Sequence, residues 1–203
     1  MNKKEISVLA ALVVTAVFSV LSAQIKEAQH IRDNTLRLHI IANSNTDTDQ
    51  KYKLYIKDEI LKMDEILPSK AENIDQAVSL VKGNLPVIEK RVNELLKTQN
   101  APYTAVCSVE NFYFDTTQYT DFALPKGEYT ALTIRLGKAQ GKNWWCVMYP
   151  ALCSSTFGEL AMQDSSDFIK TQKPAARFRV VEIYEDIKTA LTGKTCEEYK
   201  NIK

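Results

Sequence analysis

Histidine is nearly absent from this chain: His30 and His39 are the whole supply. They are not arranged with the four cysteines (107, 146, 153 and 196) in any zinc-ligand spacing, so no metal site is expected. Phosphate-cradling glycine loops, zinc-protease helices and serine elbows are all missing. Basic residues do not cluster, and 26 Lys and Arg against 25 Asp and Glu leave a net charge of +1. That balance excludes a nucleic-acid face, which needs a basic patch, and a polybasic membrane patch. Internal repeats and low-complexity segments are also lacking. No cofactor is implied.

What is present begins at the N-terminus. Lys3 and Lys4 precede an uncharged, mostly apolar run from Ile6 to Leu21, and Ser22-Ala23 then supply small residues before Gln24. This is the three-part pattern of a secretory signal, with cleavage expected at Ser22 or Ala23. Leu21 or Val20 makes an imperfect −3 residue, and the run sits just below spanning length. Cleaved signal and retained anchor therefore both stay open. The chain divides into 1–23, signal peptide or membrane anchor; 24–35, a polar, helix-compatible connector; and 36–203, one domain. With Lys3, Lys4 and Glu5 removed, that exported part is close to neutral.

Leu36 to Ala42 alternates and then turns fully apolar, as a strand buried on both faces does. Asn43-Ser44-Asn45-Thr46 breaks it. Asp47 stands three residues before Gln50, a capping-box spacing, and Tyr52, Ile56, Ile60, Met63 and Leu67 mark one face of a helix. A second helical stretch from Ala71 to about Asn100 carries Gly83-Asn84-Leu85-Pro86. We read two helices there, with Asn84 capping the second, or one sharply kinked helix. Strands are predicted over Tyr103–Phe114, Glu128–Leu136 and Asn143–Tyr149. The short loop Gly137–Gly141 suggests that the last two pair as a hairpin. A short helix at Thr156–Met162, a final strand at Arg177–Ile183 and a closing helix at Tyr184–Leu191 complete the reading. The fold class is α+β: one domain, a mostly antiparallel sheet with a helical layer, preceded by the apolar N-terminal helix.

Several residues invite a functional reading. Trp144 and Trp145 point to opposite faces of their strand, so one can enter the core while the other meets a second layer or a partner. A Cys146–His39 dyad would make an exported cysteine-dependent hydrolase, although no local signature surrounds Cys146. A Cys146–Cys153 disulfide is the stronger expectation, because seven residues across a strand end and a turn can bring the two together. His39, Asn43 and Ser44 lie at a strand end before a capped helix, where ligands often sit. Plain turn chemistry explains Asn43 and Ser44 equally. Asp47 and Asp49 look like a helix start.

Two blocks carry a resemblance. The first is Leu36-Arg37-Leu38-His39-Ile40-Ile41-Ala42-Asn43-Ser44, followed by Asp49-Gln50 and a Lys-rich helix. The second is Gly127-Glu128-Tyr129, then Gly141-Lys142-Asn143-Trp144-Trp145-Cys146-Val147, then Tyr149-Pro150-Ala151-Leu152-Cys153. In this order they resemble the stage II sporulation protein R family, from about Leu36 to Ile183. The sequence departs from the family pattern at Ala151 and Asp115, where the family has proline. The resemblance implies a signal of endospore formation, exported from the forespore into the septal intermembrane space. Its partner would be a membrane-embedded aspartic protease that processes the precursor of the early mother-cell sigma factor. It implies no catalysis by this chain. Trp144, Trp145, His39, Asn43 and Ser44 are the expected contact residues, and membrane contact is expected only through the N-terminal segment.

Overall fold

The computed structural model describes residues 2–63, 68, 71–118, 123–150 and 179–192. In chain order the elements are α1 (Lys3–Asp33), β1 (Leu36–Ile41), α2 (Asp47–Ile60), α3 (Ile74–Thr98), β2 (Ala105–Phe114), β3 (Thr117–Gln118), β4 (Ala123–Leu124), β5 (Gly127–Leu136), β6 (Asn143–Tyr149) and α4 (Arg179–Thr192). The main sheet has the order β2-β5-β1-β6, and β3 and β4 form a small ribbon beside it. The fold is α+β with a mixed sheet: β1 runs parallel to β5, and the other pairings in the main sheet are antiparallel.

β1 is interior and all six of its residues are buried. Its apolar run demands that position, and this overturns the expected hairpin. β1 is inserted between β5 and β6, so those strands do not pair with each other. The loop between them instead closes over the end of β1: Gln140 N donates to Asn43 O at 3.2 Å and Gly141 N to Ala42 O at 2.8 Å.

Two cores flank the sheet. On one face α2 and α3 pack Ile56, Ile60, Val81, Ile88 and Val92 against Leu38, Ile40, Leu132 and Ile134. On the other, Ala28 and Ile31 of α1 and Val181 of α4 meet Phe112, Phe114, Tyr129, Ala131 and Val147. Burial of these side chains, at about 25 cal/mol per Å² of apolar surface, is the main stabilising contribution.

Three further expectations are narrowed or corrected. Of the two readings of the stretch from Ala71, the single helix is the one found, and α3 runs through Pro86. Its buried stripe (Ala77, Val81, Ile88, Val92, Leu95) stays in phase across the proline, so packing holds the helix together. Asn84 does not cap; its side chain donates to Leu80 O at 3.0 Å. The N-cap of α2 is Thr46, which accepts from Asp49 N, one residue ahead of the expected Asp47. Arg179 onward is helical where a strand was expected, because Val181, Glu185 and Thr189 turn inward at helical steps. The helix expected at 156–162 lies outside the described residues.

Candidate functional site

The two predicted contact regions form two distinct clusters around β1. The first sits where β1 ends. Asp49, in the first turn of α2, is buried, and its carboxylate gathers three donors. Asn43 Nδ2 and Ser44 Oγ reach Oδ2 at 2.8 and 2.5 Å, and Tyr103 Oη reaches Oδ1 at 2.6 Å. Asn43 uses its other atom too: its Oδ1 accepts from Lys138 N at 2.9 Å. Gly137, at φ +55°, lies against that side chain, and a Cβ there would collide with Asn43 Oδ1. Asn43 and Ser44 thus act on a partner five or six residues away rather than only on their own backbone. Burial pushes the Asp49 carboxyl up, but the bonds from Ser44, Tyr103, Asn43 and Thr46 outweigh it and hold it below the usual carboxylate range. A carboxylate so fully engaged braces the loop; it is not poised to take a proton. Its partner Tyr103 is pushed upward by burial and by the bond to Asp49.

One turn further along α2, the buried Lys53 points at the start of β6. Its Nζ donates to Gln50 Oε1 at 2.6 Å and to Lys142 O at 3.1 Å. Burial, with the Lys142 charge added, lowers its affinity for the proton.

The second cluster lies on the sheet face turned toward α1 and α4. The register places His39 between Trp145 of β6 and Thr133 of β5. The His39 ring stacks on Trp145, centroids 3.6 Å apart at 27°, with the edge of Phe112 at 4.5 Å. His39 is wholly buried, and among the described residues neither ring nitrogen has a partner in hydrogen-bonding geometry. Burial drives its pKa down to about 3; the nearby Asn143 side chain opposes this, and the charges of Arg135 and Arg37 reinforce it. His39 is therefore a neutral, aromatic-packed ring. Next to it, buried Arg37 lies 3.8 Å from the Phe114 ring centroid and 5.2 Å from that of Tyr129.

Trp144 and Trp145 do point to opposite faces. Trp144 packs on the α2–α3 core with Lys57 Nζ 4.8 Å from its ring centroid, while Trp145 joins the α1–α4 side. The same alternation overturns the proposed dyad. Cys146 pairs with Leu38 and faces the α2–α3 core, whereas His39 faces away from it. Cys146 is moreover disulfide-bonded. Its expected partner Cys153 lies outside the described residues. Cys107 is a free thiol, which burial and the Glu89 charge push up to about 12. Among the described residues no group of three or more His, Cys, Asp and Glu is placed to hold a metal ion.

Ser22 and Ala23 lie inside α1, which runs unbroken from Lys3 to Asp33. The segment expected as a connector is thus helix to Asp33, and it is packed. Ala28, Ile31 and Arg32 are buried, and Arg32 Nη2 meets Glu185 Oε1 of α4 at 3.1 Å. The preceding part of α1 is apolar (mean hydropathy 2.4), exposed, and long enough to cross a membrane by length and composition. Tyr103, Arg37 and Arg32 were not proposed as site residues from the sequence, and Asp49 was read only as part of a helix start. A charged residue alternating with His39 in an otherwise apolar strand was the available signal for Arg37.

These features define a class: a mixed α+β domain built onto the end of an apolar N-terminal helix that fits a signal or an anchor. A profile of the family described as Stage II sporulation protein R (spore_II_R) matches residues 32–159. Stage II sporulation protein R of Bacillus subtilis (strain 168) is 32% identical over 170 residues, which cover 83% of this chain and 73% of that protein. No solved structure matches. The chain belongs to the stage II sporulation protein R family.

Proposed function

We propose that this protein is an exported signal of endospore formation. Leaving the forespore for the septal intermembrane space, it activates a membrane-embedded aspartic protease, and that protease processes the precursor of the early mother-cell sigma factor. The observation that carries this reading is an exposed apolar helix running without a break into the body of a sporulation-family domain. The chain acts by binding. To activate, it holds the protease's active state more tightly than its idle one. Trp145 and Trp144, half-buried on opposite faces of β6, offer ring surface to such a partner. His39 supports Trp145 from beneath, and the Asn43–Ser44 loop is held in place by Asp49.

Co-expression of the chain, the protease and the sigma-factor precursor in a host that does not sporulate tests this. Processing is expected only when the chain carries its apolar helix and leaves the cytoplasm. Processing that is indifferent to the chain, or that occurs with the chain held in the cytoplasm, would overturn the reading.

A further inference from the structure

α4 is seated on the protein the wrong way round for an amphipathic helix. Its contacts with the body are largely polar: Thr116 Oγ1 donates to Glu182 Oε1 at 2.6 Å, Arg32 Nη2 meets buried Glu185 Oε1 at 3.1 Å, and Lys126 Nζ donates to the exposed Asp186 Oδ1 at 2.6 Å. Val181 is the buried apolar contact on that side. Its outward side is apolar: Ile183 is 60% exposed, Tyr184 40%, Ile187 55% and Leu191 82%. Ile183, Ile187 and Leu191 recur every four residues and share one face. α3 does the opposite, burying its apolar stripe under the sheet. An apolar stripe left on the outside marks a surface made to be covered.

Its position says what covers it. α4 packs on α1. α1 becomes half-buried against the body from Leu21 onward, and Leu21 is the last residue of the apolar run. The body therefore begins where α1 would leave a bilayer. The acids of α4 are matched within the protein: Glu182 by Thr116 and Arg179, Glu185 by Arg32 and Lys188, and Asp186 by Lys126.

We propose that α4 is an interfacial helix, with Ile183, Ile187 and Leu191 seated in the lipid surface beside α1. The membrane contact then extends beyond the N-terminal segment. One weak hold is reversible, whereas two holds together anchor stably. Cleavage at Ser22 or Ala23 would thus leave the domain with a hold of its own, and release would require α4 to come off as well.

The test uses the full chain in vesicles of phosphatidylethanolamine and phosphatidylglycerol containing a phospholipid with a diazirine in its acyl chain. After illumination, lipid adducts are mapped by peptide mass spectrometry. Adducts are expected on the apolar run of α1 and on the Ile183–Leu191 peptide. Ile183→Asn/Ile187→Asn/Leu191→Asn should lose those on α4 and keep those on α1; the replaced side chains are exposed. The single variant Ile187→Asn should reduce them in the same direction. Adducts confined to α1 would overturn the proposal, as would α4 adducts that survive the triple change. Cross-links from α4 to a second copy or another protein, without lipid adducts, would overturn it too.

Discussion

Tyr103 Oη donates a hydrogen bond to Asp49 Oδ1 at 2.6 Å, joining the entry to β2 to the first turn of α2. Asn43 and Ser44 converge on the other oxygen, so a single carboxylate fixes the end of β1, the start of α2 and the approach to β2.

Asp49→Asn should therefore cost more than any one of its bonds. Hydrogen bonds to a charged acceptor contribute roughly 1.5–3 kcal/mol each, and the amide would turn an NH2 toward one of the three donors. We expect a loss of about 2–4 kcal/mol in urea denaturation. Tyr103→Phe should cost about 1–2 kcal/mol. The double variant should lose less than the sum, because both changes remove the same bond.

His39 sets the response to acid. Its folded pKa of about 3 lies below the ordinary 6.5. As pH falls through 6.5 the unfolded chain takes up a proton that the folded chain refuses. The stability His39 contributes is thus fully present above pH 6.5 and is lost progressively toward pH 3. At 1.36 kcal/mol per unit, the loss is roughly 2 kcal/mol by about pH 5. His39→Phe, which keeps a ring under Trp145 and cannot titrate, should flatten that slope in denaturation series. The lowered Asp49 carboxyl adds its own loss as pH falls through its ordinary 3.8, so the slope above about pH 5 belongs to His39 rather than Asp49.

The buried first strand, the helix faces and the opposed tryptophans were legible in the sequence because each follows from local periodicity. Strand order was not. Short loops favour hairpins, and only the need to bury both faces of Leu36–Ile41 places that strand between two others. α4 was misread for a related reason: its Val180-Val181 pair suits a strand, while its helical docking rests on polar contacts with Arg32, Thr116 and Lys126, distant in sequence. Asp49 looked like an ordinary helix start because its defining partner, Tyr103, is 54 positions away.

Trp145 separates packing from signalling. Its ring touches His39 at 3.6 Å, Phe114 at 4.6 Å and Phe112 at 5.6 Å between centroids. Trp145→Ala removes this cover and should destabilise the domain by about 2–4 kcal/mol, less than a fully buried tryptophan would. Trp145→Phe keeps the stack and should restore most of that. If Trp145 also touches the protease, Trp145→Phe should unfold at nearly the wild-type urea midpoint yet process less precursor. Equal processing would assign Trp145 to packing alone.

The packed body begins inside α1, ahead of β1. A chain starting at Gln24 loses the apolar run but keeps Ala28, Ile31 and Arg32 of α1 in place. Arg32 bonds Lys126 O at 3.0 Å, pairs with Glu185, and lies against Gly127, whose φ of +145° and lack of a Cβ let the guanidinium arm pass. A chain starting at Thr35 would strip one wall from the core of Phe112, Tyr129 and Val181 and leave Glu185 buried without Arg32. Uncovering a buried charge alone costs about 3–5 kcal/mol. The Gln24 form should therefore give a cooperative urea transition, and the Thr35 form a lost or broadened one. Arg32→Met should lie between them, with α4 amides exchanging faster than those of β1. If the two truncations unfold alike, α1 is only an address segment and its packing contributes nothing to the fold.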